Sequence, residues 1–163
     1  MDPNKFVRVE EKVLISNSNV LFEYNSFAKA VIEKLSANMD KIAMIDAESG
    51  KHWTAEEMIS AIIKLGSAFI THGVSKGDVV FFYCLNNDIH TVAMLAIWCI
   101  SAVYSGSVQD NPEREVQNLI RISNAQYLVG YNENLNICLK LKEQFKQIRV
   151  TTHDQNNLII CFV

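Results

Sequence analysis

The chain has 163 residues, 49% apolar and 20% charged, with a formal net charge of −3, enough for one domain with a real core and short for two. The slight acidity, and the lack of any basic run interleaved with aromatics, exclude a general nucleic-acid surface. The longest uncharged apolar stretch, VAMLAIWCISAV at 92–103, falls well short of the roughly 20 residues of a bilayer span, so it reads as a buried helix and no membrane span is expected.

The opening MDPNKFVRVEEKV is charged throughout and has no apolar segment of the secretory kind. Cys84, Cys99, Cys138 and Cys161 are widely spaced with no C-x-x-C pair, and three of them sit inside apolar patterns. They read as free structural thiols in a reducing, intracellular compartment.

YNSFAKAVIEKLSANM places Ala28, Val31, Ile32 and Leu35 at helical spacing, with Asn25 or Ser26 as the cap. Residues 42–46, IAMID, read as a short strand; AESGK then turns at Gly50, and HW resumes a second strand, a hairpin. Thr54 with Glu57 three residues on is a capping box. The helix it opens carries Met58, Ile62, Leu65 and Phe69 on one line, and Ser60, Lys64, Ser67 and Thr71 on the opposite, wet one. Gly73 ends it.

Residues 79–85 are uninterruptedly apolar, the pattern of a strand buried on both faces in a parallel sheet. The next helix, opened by Asn86, Asn87 or Asp88, is apolar nearly all round and therefore central. AVYSGSV is the next strand, broken by Gly106. Pro112 takes the first helical position, with Glu113 and Glu115 in the first turn and Val116, Leu119, Ile120 and Ser123 facing inward. AQYLVGY is a further strand. NENLNICLKLKEQFKQ is a helix running from an acid to Lys142 and Lys146, and IRVTT is a last strand near Val150. Strand and helix alternate from Asp78 to Thr152, which implies right-handed crossovers and a mostly parallel sheet. HDQNNLIICFV, at 153–163, breaks that rhythm.

A phosphate cradle needs a glycine-rich loop feeding a helix N-terminus. Gly73 and Gly77 instead close a helix and feed a strand, and the loop after that strand, LNND, has no glycine. The segment GVSKGDVVFFYCLNN is therefore frame. His52, His72, His90 and His153 show no ligand spacing and read as structural, Asp88 reads as a cap, and neither a G-x-S-x-G elbow nor a zinc signature is present. Catalytic, cofactor-binding and metal-ligating residues are accordingly assigned as none.

The order of these pieces resembles the amino-terminal segment of the AMP-forming acyl- and aryl-CoA ligases, the family of coumarate–CoA ligase and beetle luciferase. The marks are Ala43 and Asp46 in the strand, Gly50, Thr54 opening the helix, Gly73-Val74, Lys76-Gly77-Asp78-Val79, Asn86, Ala96 and Ala102-Val103. EREVQNLIRISNAQYLV is similar to the family's next helix and strand, so the likeness covers about Tyr24 to Thr152. Ser101 stands where the family usually has glycine, and YSGSVQDN replaces the prolines that usually follow. The Ser/Thr-Gly-rich loop ending in Pro-Lys-Gly, the adenylate-binding motifs and the small domain with the catalytic lysine have no counterpart in the sequence.

The resemblance implies an α/β fold, a mostly parallel sheet flanked by helices, as the first subdomain of the adenylate-forming ligase fold, preceded by a helix and a small hairpin. Domains are expected as a lead segment at 1–23, a partial ligase N-terminal domain at 24–152 and an atypical tail at 153–163. A complete relative would join a carboxylic acid to AMP and pass the acyl group to coenzyme A, or oxidise the adenylate as luciferases do. ATP, magnesium and coenzyme A are thus expected for such a relative and not for this chain, which is expected to be a truncated ligase, inactive alone. Its expected partners are a second copy or a fuller relative, and its compartment cytoplasmic or, from the resemblance, peroxisomal. The rival readings are a self-sufficient small α/β binding module, with its crevice at the strand C-terminal ends, and an interaction protein. Under the truncation reading, genomic sequence beyond the Thr152 codon encodes the missing Pro-Lys-Gly loop.

Overall fold

The computed structural model describes residues 7–16, 26–108, 110–131, 134–148, 151–155 and 158–162. Two short strands, β1 (Val7–Glu10) and β2 (Val13–Ser16), open it as an antiparallel hairpin that the sequence reading did not assign. Its turn is Glu11-Lys12, both at positive φ (49° and 68°). Helix α1 (Phe27–Ser36) follows, with the Ser26 hydroxyl accepting from the Lys29 N–H at 3.4 Å. Ala28 and Ala30 are buried, whereas Val31, Ile32 and Leu35 are half-buried against the main core.

Strands β3 (Ile42–Ile45) and β4 (His52–Thr54) form the expected antiparallel hairpin, irregular between Ile42 and Met44. Its turn needs a left-handed residue, supplied by Gly50 at φ 71°. Helix α2 (Ala55–Thr71) starts on the complete capping box: Glu57 N–H donates to Thr54 Oγ1 at 3.2 Å, and Thr54 N–H donates to Glu57 Oε2 at 2.9 Å. Met58, Ile62 and Phe69 are buried on the expected line, joined by Gly66, with Leu65 half-buried. The helix ends on His72 as its C-cap, with Gly73 at φ 92° beyond it.

Strand β5 (Val79–Cys84) is buried from Val80 to Cys84. Helix α3 (Asp88–Cys99) covers one face, and β6 (Val103–Val108) returns parallel to β5 in the register Val79 to Val103 through Cys84 to Val108. Strand β6 runs straight through Gly106 and is not broken there. The 92–103 stretch is therefore helix only to Cys99, with a turn at Ile100–Ala102 and a strand from Val103. The helix is central, but its buried residues are Val92, Ala93, Leu95, Ala96 and Ile97, with Met94 and Trp98 half-buried.

Helix α4 (Glu113–Ser123) begins one residue after Pro112, which is its cap (φ −56°, ψ 141°) rather than its first turn. It buries Val116 and Ile120 and ends on Asn124 in the left-handed region. Strand β7 (Tyr127–Gly130) pairs parallel with the other edge of β5, and α5 (Leu135–Gln144) follows, burying Cys138 and Leu141. Backbone strands β8 (Thr151–Gln155) and β9 (Leu158–Phe162) pair antiparallel with each other. The strand expected near Val150 thus falls partly outside the described residues, and its described part is antiparallel.

The strand order β6-β5-β7 explains the layering. The chain leaves β5 in one direction to form β6, then crosses back over β5 to form β7. Two right-handed crossovers run in opposite directions must land on opposite faces. Accordingly Val80, Phe82 and Cys84 point into a core with α2 and α3, whereas Phe81 and Tyr83 point into a second core with α4 and α5. Among the described residues, no helix is long and apolar enough to cross a membrane.

Candidate functional site at the strand C-terminal ends

Because α3 lies over one face and α4 over the other, the loops leaving β5 and β6 diverge. That divergence opens a crevice at the C-terminal edge of a parallel sheet, where α/β folds hold their ligands. A cavity of about 290 Å³ occupies the gap, lined among others by Cys84, Asn86, His90, Met94, Tyr104 and Gly106. Glycine is required at 106, since a Cβ there would lie 2.8 Å from Tyr104 Oη and 2.9 Å from the Phe82 carbonyl. A glycine inside a strand signals such an approach, and it is the mark by which the sequence could have disclosed this crevice.

His90 is the polar wall. Its ring stacks on Phe82 with centroids 5.6 Å apart and planes 12° from parallel. Nδ1 lies 3.1 Å from the Leu85 carbonyl and Nε2 lies 2.8 Å from Tyr104 Oη. The carbonyl only accepts, so Nδ1 carries the proton and Nε2 accepts from the tyrosine hydroxyl. Burial lowers the His90 pKa, against the opposing pull of the Leu85 carbonyl, and burial raises that of Tyr104. Both nitrogens are engaged within the fold. The Cys84 thiol is buried and its pKa is pushed up to about 12 by desolvation, so it is held as an unreactive thiol. Cys138 is buried likewise, but Cys99, expected inside an apolar pattern, is exposed on the last turn of α3.

On the β7 side of β5 a second set of polar groups closes on itself. Asn87, not Asp88, caps α3: its Oδ1 accepts the His90 N–H at 2.9 Å and also the Tyr131 hydroxyl at 2.8 Å. Asn134, at the start of α5, donates to the Tyr83 carbonyl at 2.5 Å and accepts the Tyr131 N–H at 2.8 Å. Asp88 instead opens the helix, accepting Ile89 N–H and Trp53 Nε1, both at 2.8 Å, with Lys51 Nζ at 3.5 Å. It pins the β3–β4 hairpin to α3. The sequence reading did not single out Tyr83, Tyr131 or Asn134, whose meeting depends on the parallel β5–β7 register.

These contacts test the fit of a nucleotide phosphate. The α3 N-terminus carries the Asp88 carboxylate, which would repel an anion, and the Asn87 oxygen already fills its capping position. Gly73 and Gly77 sit in the turn before β5, where Ser75 N–H donates to Asp78 Oδ2 at 2.8 Å and Gly77 N–H to the Ser101 carbonyl at 3.0 Å. Neither of these two places fits a triphosphate. Among the described residues, no cluster of three or more His, Cys, Asp or Glu is placed to hold a metal ion.

A three-strand parallel unit wound to both faces, with a crevice at its strand ends, defines a doubly wound α/β module. Residues 32–159 match the AMP-binding enzyme family, and the chain belongs to it. A probable CoA ligase of Humulus lupulus, CCL5, is 30% identical over 84 residues, which are 52% of this chain and 15% of that ligase. The luciferase-like enzyme of the nonluminescent mealworm Zophobas morio superposes with a TM-score of 0.71 at 20% identity, over 79% of this chain and 31% of that one. The N-terminal subdomain of Klebsiella oxytoca NpsA gives a TM-score of 0.60 at 22% identity, over 64% and 27%. The fold is thus that of the N-terminal subdomain of adenylate-forming enzymes, and the chain spans about a sixth of the curated relatives it matches.

Proposed function

We propose that this chain supplies the scaffold of the first subdomain of an AMP-forming acid–thiol ligase-like protein and does not itself catalyse adenylation. The observation that carries this reading is the state of the strand ends: Asn87, His90, Tyr104 and Asn134 are engaged with one another or with backbone, and Asp88 guards the helix N-terminus. ATP, magnesium and coenzyme A belong, in this reading, to a fuller relative. Spreading the charge of a polyphosphate transition state takes converging N–H donors, a cation and a positioned metal. The family resemblance supports a cytoplasmic or peroxisomal compartment, and partnering with a second copy or a fuller relative.

The full chain, incubated with ATP, magnesium and a mixture of fatty and cinnamic acids, releases no pyrophosphate above a protein-free control. Acid-dependent release that co-purifies with the chain overturns the proposal. The cavity beside His90 favours a second reading, a non-catalytic binding module. Saturable acid binding without turnover, lost in Gly106→Val, supports it.

A further inference from the structure

Strand β6 is an edge of its sheet: among the described residues it pairs with β5 and with no other strand. The register tells which of its backbone groups face outward. Val103 N–H donates to the Asp78 carbonyl at 2.8 Å, and Gly77 N–H donates to the Ser101 carbonyl at 3.0 Å. In a parallel ladder a residue turns its N–H and C=O toward the same neighbour, so Val103, Ser105 and Ser107 serve β5. Tyr104, Gly106 and Val108 therefore present theirs outward; of these groups, the Val108 carbonyl already accepts the Asn111 N–H at 3.2 Å and the Ser107 hydroxyl at 3.3 Å. The Val108 N–H and the Tyr104 and Gly106 groups thus carry the pairing, and the Ser107 hydroxyl must turn away for the Val108 carbonyl to join it.

The sequence of this edge, VYSGSV, carries no charge, proline or bulge, the devices by which exposed edges are ordinarily blunted. It is also nearly its own mirror about Gly106. Laid antiparallel on a second copy with Gly106 opposite Gly106, each outward-facing residue meets another: Tyr104 opposes Val108 on both sides of a two-fold axis. Ser105 opposes Ser107 as a non-hydrogen-bonded pair. A register shifted by one residue would instead set outward groups against inward ones. The 54%-exposed Val108 is set beside an aromatic residue of the other copy, a favourable cross-strand pair.

We infer that this chain forms a two-fold dimer through antiparallel β6–β6 pairing centred on Gly106, making one continuous six-strand sheet. A two-fold contact uses the same patch on both copies and closes, so it gives a dimer and not a fibre. The inference is independent of whether the chain catalyses anything.

The test uses the full chain at two levels. Sedimentation across a concentration series should show twice the 18.5 kDa monomer mass, and Val108→Lys should weaken association at least tenfold while far-UV circular dichroism stays unchanged. Second, the double variant Ser105→Cys, Ser107→Cys should cross-link under mild oxidation, since non-hydrogen-bonded antiparallel pairs lie at disulfide spacing. Peptide mapping should then find residue 105 of one copy joined to residue 107 of the other. A monomer throughout, or a dimer indifferent to Val108→Lys whose cross-links lie elsewhere, overturns the inference.

Discussion

Ser101 sits at φ 61°, a left-handed conformation that side chains other than those of Gly, Asn and Asp seldom adopt. It is held there from both sides: its N–H donates to the Trp98 carbonyl at 3.1 Å and its carbonyl accepts from Gly77. The departure from the usual glycine of the ligase family was visible in the sequence, but its backbone angle was not, because that angle is imposed by the α3–β6 turn meeting the turn before β5. Relieving the strain is worth about 1–2 kcal/mol, against which a glycine adds roughly 0.5–1 kcal/mol of unfolded-state entropy. Ser101→Gly should therefore stabilise by up to about 1 kcal/mol, a rise of roughly 2–4 °C in Tm for a domain of this size. Ser101→Val, branched at Cβ, should lower it instead. A fall in Tm for the glycine variant would show that the serine side chain contributes more than the strain costs.

At the scale of the element, what was legible depended on how local its cause was. The capping box of α2 lies within four residues, so Thr54 and Glu57 were readable as they stand. Thr54→Ala should cost about 1 kcal/mol, and a double-mutant cycle with Glu57→Ala should be non-additive, since each side chain caps the other's backbone; additive losses would mean two independent surface contacts. The buried run of β5 was equally plain, because a strand covered on both faces needs no alternation. The β1–β2 hairpin was missed since Glu11-Lys12 is not a pair that advertises positive φ. Gly106 was read as a break because its cause lies elsewhere, in the Tyr104 ring and the Phe82 carbonyl that crowd it. The place of a crevice, at the strand C-terminal ends, was open to the binding-module reading, but its lining was not: Cys84, His90 and Tyr104 are unremarkable in sequence and meet only through α3 and the β5–β6 register.

For the molecule as a whole, the parallel character of the central sheet followed from alternation, whereas the order β6-β5-β7 emerges from the two opposed crossovers. That order makes β5 the one strand of the central sheet with a neighbour on each side, and the wall shared by both cores. Its amides have no route to solvent that leaves either core intact. Val80 and Phe82 open only if α2 and α3 leave, and Phe81 and Tyr83 only if α4 and α5 leave. Native-state hydrogen exchange should therefore find Val80 to Tyr83 the slowest amides in the chain, exchanging through global opening. Their apparent free energies should converge on the value from denaturant unfolding and fall together with it in Phe82→Leu, a change that touches only the α2–α3 core. The β1–β2 hairpin, whose described side chains are mostly exposed, should exchange far faster and ignore that substitution. If Phe82→Leu accelerated exchange only around α2 and α3, leaving Leu128 and Val116 protected as before, the two cores would be separate folding units and β5 merely a partition between them.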